Sequence, residues 1–305
     1  MEKNKKLINK LNMSHISDLF TVLKCNNNCL TCALNDKQHI RPFSEIKEDL
    51  VKARRYAPDI ALTGGEPTID KNFFKILNYI KSLKFDNIML TTNGRIFSNK
   101  AFLSKVLEKN VITHFIVSLH SDQQKEHELV TQVPGSFNQT IRGIKNLKEA
   151  GQFVMVELVI SKANHNKLLE MARLLSSLKI NQVHMVYIRP IGFTKKNFNL
   201  VVPSLNEIES GIKKAIDFYN SEGIYCLVEG IPFCFLKGYE NYIGEKNVPE
   251  RIILGGTFFS ELSEIIDKDN RVKSTRCSSC IYSDACRGVW KEAEDNLKFI
   301  SPITR

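Results

Sequence analysis

From Leu19 to Pro190 the chain alternates short β-rich runs with amphipathic stretches of helical period, and this rhythm limits its fold more than any other feature. Strands alternating with helices mark parallel βα units. Runs near 19–24, 59–63, 87–91, 113–119, 153–161 and 182–188 read as strands, and 44–56, 70–83, 98–109, 136–150 and 165–178 as helices. Ser44, Asp70 and Ser98 are placed to open three helices and Gly151 to stop a fourth. Right-handed crossovers wind such units into an α/β fold, a partial (β/α)6 TIM-like barrel with ligands at the C-terminal ends of its strands. After Ile191 and Gly192 the rhythm stops. A helix near 204–222 and a strand near 224–229 lead into a Gly-, aromatic- and Cys-containing region too irregular for a large apolar core. The expected division is an N-terminal extension over 1–18, the barrel over 19–200 and a small C-terminal domain over 201–305.

With 305 residues, 43% of them apolar, the chain has enough material for a sizeable core. Its longest apolar runs, such as Phe153–Ile160 and Val111–Leu119, fall well short of the ~20 residues that cross a bilayer. The Lys-rich segment Met1–Asn12 lacks the apolar stretch and cleavage site of a secretory signal, which places the protein in the cytoplasm with no membrane partner. The formal charge of +10 is spread over many helix faces without a basic stripe beside stacking aromatics. It suits solubility or an acidic peptide better than nucleic acid.

Eight cysteines in a chain without an export signal point to metal or catalysis rather than to disulfides. Cys25, Cys29 and Cys32 share one polar loop directly behind the first strand. Three thiolates can hold three irons of a 4Fe-4S cubane and leave the fourth open, whereas zinc asks for four ligands and finds only His39 nearby. A second group, Cys277, Cys280 and Cys286, lies near the C-terminus, with Cys234 as the best fourth ligand and Cys226 as its competitor. Four thiolates leave no open position, and they suit zinc as well as a second 4Fe-4S cluster. If Cys226 is not a ligand, it is either a small buried residue of its strand or a reactive thiol.

Behind the second strand comes Thr63-Gly64-Gly65-Glu66-Pro67, in which two glycines permit close backbone approach and Glu66 can accept from an ammonium group. With the cysteine loop, this motif resembles the radical S-adenosylmethionine (radical SAM) superfamily. The resemblance continues through Thr91-Thr92-Asn93-Gly94, Val117-Ser118-Leu119-His120, Asn164 and Arg189-Pro190-Ile191-Gly192, and so spans Leu19 to Gly192. It implies that Cys25, Cys29 and Cys32 hold a cluster whose open iron chelates the amino and carboxylate groups of S-adenosylmethionine. It also implies that Gly64, Gly65, Glu66 and Pro67 contact the amino group, with Asn93, Ser118, Asn164 and Arg189 as further cofactor contacts. One departure is Thr31, where the family usually carries an aromatic residue against the adenine; Tyr187, Phe43 or the backbone of strand six is the expected substitute.

The C-terminal cysteines resemble the shortened auxiliary-cluster, or twitch, domains of radical enzymes that modify peptides or small alcohols. By that likeness the chain generates a 5'-deoxyadenosyl radical and abstracts hydrogen, first of all from a ribosomally made peptide, by epimerisation or crosslinking. Cys226 is then the speculative catalytic residue, a hydrogen-atom donor as in radical peptide epimerases. With strand one expected to begin near Leu19, no separate recognition domain is expected before the barrel, and a partner or direct contact is expected to supply peptide recognition. A flavodoxin- or ferredoxin-type donor supplies electrons. The alternatives are a small-molecule dehydrogenase or cyclase, although the Gly-Gly tail of the molybdopterin-type cyclase is missing, and a non-enzymatic electron carrier or zinc-stabilised module.

Overall fold

The computed structural model describes residues 15–34, 38–244, 250–255 and 270–304. Most of the expected N-terminal extension therefore lies outside the described residues. Eight parallel strands form one curled half-barrel sheet: β1 (His15–Val22), β2 (Asp59–Gly64), β3 (Asn87–Thr92), β4 (His114–Ser118), β5 (Val154–Ile160), β6 (Gln182–Tyr187), β7 (Tyr225–Glu229) and β8 (Glu250–Leu254). Their order is β7-β6-β5-β4-β3-β2-β1-β8. The six strands expected from the sequence sit side by side, and the sheet is longer by one strand at each edge. The segment near 224–229 becomes β7, paired in parallel with β6, and β8 pairs in parallel with β1.

The helices are α1 (Phe43–Tyr56), α2 (Phe73–Leu83), α3 (Lys100–Leu107), α4 (Gln124–Thr131), α5 (Ser136–Glu149), α6 (Leu168–Ser177), α7 (Gly192–Lys196), α8 (Phe198–Val201) and α9 (Leu205–Ser221). Each long helix turns one apolar stripe to the sheet; in α1 the stripe is Ile46, Leu50 and Ala53, at the three-to-four spacing that puts residues on one face. Side chains alternate along the strands. In β5, Val154, Val156, Leu158 and Ile160 enter the helix-side core, and Met155, Glu157 and Val159 face the inner side. There Ile16, Ala61, Met89 and Ile116 form a second, small apolar patch at the barrel floor, with Met155 against it.

Several helix starts differ from expectation. The chain enters α1 through Pro42 rather than Ser44, Asn99 rather than Ser98 caps α3 by accepting from Phe102 N at 3.1 Å, and Asp70 accepts from Asn72 N at 2.8 Å in the turn before α2. A cap is decided by which short side chain reaches a free N–H of the first turn, and neighbouring polar residues compete for that place. Gly151 follows α5 with φ +71°, the left-handed stop expected of it.

Candidate functional site

A bulge at Thr21 breaks the β1–β2 register, so that Phe20 pairs with Thr63 and Val22 with Gly64. The bulge turns the chain out of the sheet into the cysteine loop. Gly64 has φ +131°, and a Cβ there would lie 2.1 Å from Val22 O; one on Gly65 would lie 2.2 Å from Leu23 O. Gly65 N and Glu66 N donate to Val22 O and Lys24 O at 2.7 and 2.9 Å. The close approach that the two glycines permit is thus made by the root of the cysteine loop.

The loop is tied on three sides. Asn28 N and Leu30 N donate to Thr131 O and Val130 O, both at 2.9 Å, using carbonyls that the end of α4 leaves without helical partners. Thr194 N donates to Cys32 O at 3.2 Å and Asn197 Nδ2 to Leu30 O at 3.3 Å. From the turn behind β3, Asn93 Nδ2 reaches Asn26 Oδ1 at 2.6 Å, and one Arg95 amino group reaches Asn26 O at 2.6 Å and Asn27 Oδ1 at 2.7 Å. Cys25 Sγ accepts from Asn27 N at 3.3 Å, and Cys29 Sγ lies 3.9 Å from His120 Nε2. Three thiols with no fourth on a braced loop, one of them already accepting an N–H, fit a cubane with one open iron.

Glu66 is fully buried and joins the ends of β2 and β3. Its Oε1 accepts from Thr68 N, Thr68 Oγ1 and Thr92 Oγ1 at 3.2, 2.6 and 2.8 Å, and its Oε2 from Asn93 N at 2.7 Å. Burial pushes its carboxyl pKa up, while these donors hold the charged form. Oε2 keeps a lone pair for a further donor. Pro67, also buried, starts the 3-10 turn Pro67–Ile69 that the Glu66 side chain caps.

The inner face of the sheet carries charge. Ser118, half-buried at the end of β4, stands opposite Glu157 in register. Arg189 donates to Glu229 Oε1, and His184 Nε2 lies 3.3 Å from Glu229 Oε2. Burial opposes ionisation of Glu229, yet the His184 hydrogen bond and the charges of Arg189, His184 and Arg251 hold it well below the usual carboxylate range. Arg251 of β8 pairs with Asp18 of β1 at 3.1 Å and lies within electrostatic reach of Glu229 and Glu157. Among the described residues β7 and β8 do not pair, so these charges face one another across the open seam of the half-barrel.

The radical SAM superfamily profile matches residues 20–175, just over half of the chain, from the bulge of β1 through α6. The chain belongs to the radical SAM superfamily. Membership implies a 4Fe-4S cluster and S-adenosylmethionine. This radical SAM chain is 27% identical over 230 residues to a probable GTP 3',8-cyclase of Saccharolobus islandicus, covering 72% of this chain and 73% of that protein. A probable GTP 3',8-cyclase of Sulfurisphaera tokodaii is 26% identical over 209 residues, covering 66% and 65%. Among solved structures, Streptococcus suis SuiB bound to S-adenosylmethionine superposes with TM-score 0.66 at 17% identity, over 94% of this chain and 76% of that one. The peptide-bound anSMEcpe superposes with TM-score 0.59 at 13% identity, over 95% and 92%.

The C-terminal cysteines of this radical SAM protein meet at one cavity, lined by Cys234, Cys277, Cys280 and Cys286 with Phe233, Lys273 and Gly288. Burial and the neighbouring Cys286 and Cys277 thiols push the Cys234 thiol pKa up. Gly288 N donates to Cys286 Sγ at 3.4 Å, and Phe233 stacks on Tyr282 at 4.6 Å. The two-residue strands β9 (Arg271–Val272) and β10 (Val289–Trp290) frame this region, with the Arg271 guanidinium 3.7 Å from the Trp290 ring centroid. Among the described residues no three His, Cys, Asp or Glu side chains form a ready-made site for a metal ion. The four thiols therefore share the walls of a cavity, and as a donor set they fit a group with four thiolate ligands.

Other expected site residues fall elsewhere. Cys226 is 1% exposed and sits on the helix side of β7, where burial pushes its thiol up to about 12. The alternation of β7 turns Tyr225, Leu227 and Glu229 inward and Cys226, the residue expected as a hydrogen-atom donor, outward into the helix-side core. Its outward side also keeps it apart from the lining of the cysteine cavity. Asn164 is fully buried; it accepts from Ser161 N at 3.0 Å and donates to His120 O and Val159 O at 2.8 Å, bracing the ends of β4 and β5. Tyr187 points into the helix-side core and donates to Pro203 O at 2.7 Å, and Phe43 meets Tyr79 edge-on at 6.4 Å, so neither faces the mouth. Arg95 and the paired charges of the inner face were missed by sequence reasoning, and His120 was read only as part of the motif behind strand four. The inward alternation of Glu157, His184 and Glu229 was the available signal for the paired charges.

Proposed function

We propose that this protein is a radical SAM enzyme that modifies a peptide, with Cys25, Cys29 and Cys32 holding the open-iron cluster and Gly64–Pro67 the cofactor's methionine end. When bound, cluster and cofactor supply a 5'-deoxyadenosyl radical that removes a hydrogen atom from the substrate. The chain's own residues position and shield. Arg95, Asn93 and the end of α4 hold the loop, Glu66 offers Oε2 to an ammonium group, and Ser118 stands at the mouth on the inner face. The helix-side core excludes water from the back of the site. Cys234, Cys277, Cys280 and Cys286 would hold an auxiliary 4Fe-4S cluster.

The observation that carries the peptide reading is the mixed charge of the inner face. Asp18, Glu157 and Glu229 face Arg189, His184 and Arg251, with no surplus of cations, and both guanidiniums already have carboxylate partners. A nucleoside triphosphate needs surplus cations, whereas a peptide's alternating N–H and C=O groups suit paired charges of both signs. The likeness in sequence to probable GTP 3',8-cyclases supports a second reading, a small-molecule cyclase. The test is anaerobic release of 5'-deoxyadenosine by reconstituted wild type and by a variant with Cys25, Cys29 and Cys32 changed to Ala. GTP and a peptide encoded beside the gene are offered in parallel. Release abolished in the variant and a mass change on the peptide support the proposal; conversion of GTP selects the second reading.

A further inference from the structure

We propose that His120 is a positioning residue that donates an N–H to the Cys29 sulfur and thereby makes the open-iron cluster easier to reduce. The inference rests on the reading that the loop holds the cluster. His120 Nε2 is 3.9 Å from Cys29 Sγ, and the residue is 8% exposed, so little water competes for the contact. Each side of His120 is fixed. Its backbone N–H donates to His127 Nδ1 at 3.3 Å, its carbonyl accepts from the buried Asn164 amide at 2.8 Å, and the preceding Leu119 N donates to Glu157 O at 3.3 Å. His127 is itself buried, packed edge-on against Phe137 with ring centroids 5.6 Å apart.

The same helix that carries His127 receives the loop, since the Val130 and Thr131 carbonyls of α4 accept from Leu30 and Asn28 on either side of Cys29. Imidazole and thiol are thus held on one rigid frame, and their approach does not depend on a mobile side chain. An N–H aimed at a cluster thiolate stabilises the more negative, reduced state over the oxidised one, which raises the reduction potential. His120 changes no bond in the reaction; it biases the electron-accepting step that an external one-electron donor drives.

The experiment uses full-length reconstituted protein titrated anaerobically with dithionite and mediator dyes, the reduced cluster being read by electron paramagnetic resonance. For His120→Leu we expect unchanged iron at the loop and about a tenfold lower ratio of reduced to oxidised cluster at a fixed poise, about 59 mV for a one-electron couple. His120→Gln, which keeps an N–H of similar reach, is expected to recover part of the loss. In wild type labelled with 15N-histidine, the reduced cluster is expected to show a nitrogen hyperfine coupling that needs no variant. An unshifted potential in an iron-replete His120→Leu, or no coupling in the labelled wild type, overturns the proposal. Wild type that takes up no iron at the loop overturns the underlying cluster reading instead.

Discussion

Arg95 reaches back across the sheet mouth from the turn behind β3 and places one amino group between Asn26 O and Asn27 Oδ1, inside the cysteine loop. A cation thus braces the loop that we propose holds the cluster, whose three thiolates outweigh the charge of the cationic iron-sulfur core. Its Nε–H is also engaged, by Gln139 Oε1 at 2.7 Å on α5. Replacing it with Leu removes three hydrogen bonds from a charged donor and is expected to cost about 2 kcal/mol locally, after allowance for the exposed part of the contact. We expect Arg95→Leu to fold, as judged by circular dichroism, and to lose iron several-fold faster than wild type under chelator challenge. Equal rates would show that the loop is held without it.

Gly65→Ala places a methyl group 2.2 Å from Leu23 O and 2.3 Å from Lys24 O, both backbone atoms that cannot rotate away. The end of β2 must then lift from the loop root and lose the Gly65 and Glu66 donations. A destabilisation of about 3 kcal/mol in chemical denaturation, together with poor iron uptake, is expected. A variant that binds iron normally would mean that the two segments separate at little cost.

Glu66 separates charge from shape. All four donors around it point at the carboxylate, so Glu66→Gln turns an amide N–H₂ onto one of them. Stability should fall by about 2 kcal/mol although a buried charge has been removed. Binding of S-adenosylmethionine, followed by calorimetry on the iron-loaded protein, should weaken at least tenfold. Retained affinity would remove Glu66 from the cofactor site.

The pH dependence of stability should carry a mark of Glu229. Its folded pKa is depressed below the ordinary glutamate value of 4.5, so its contribution is fully present above that value and is lost as pH falls towards the folded pKa. Thermal melts should show wild type losing its advantage over Glu229→Gln progressively as the pH falls below about 5, with the loss continuing below pH 3. A constant difference between the two proteins across that window would mean that the Arg189 and His184 contacts do not hold the carboxylate charged.

Cys226 and Cys234 are expected to part company. Cys234→Ala removes a wall of the four-thiol cavity and, on the proposal of an auxiliary cluster there, should lower bound iron to roughly half. Cys226→Ala should leave iron unchanged and lower stability by about 1 kcal/mol, because it removes only a small buried side chain. Iron lost from Cys226→Ala instead would make that residue the ligand.

The βα rhythm was legible because each strand and helix of the first six units carries its own apolar period, as in Val154–Ile160. The two edge strands were harder. β7 was visible as a strand but not as part of the sheet, and the five residues of β8 carry too short a pattern to announce a partner. α4 was missed because eight polar-rich residues hold barely two apolar periods, yet its end carbonyls receive the cysteine loop. The cysteines and the Gly-Gly-Glu-Pro segment were readable as local motifs. The contacts of Arg95 with Asn26 and of His120 with Cys29 join residues far apart in the chain, and only the wound sheet brings them together.

The parallel pairing of β8 with β1 has a consequence for biosynthesis. Arg251 and Ile253 must emerge from the ribosome before Ile16 and Asp18 acquire their second neighbours, so β1, the first of the described strands, waits at the sheet edge for β8. Such distant pairing is slow to form and leaves β1 exposed on the nascent chain. The cysteine loop hangs from the end of that same strand. Cluster assembly is therefore expected to follow the emergence of β8 rather than that of β1.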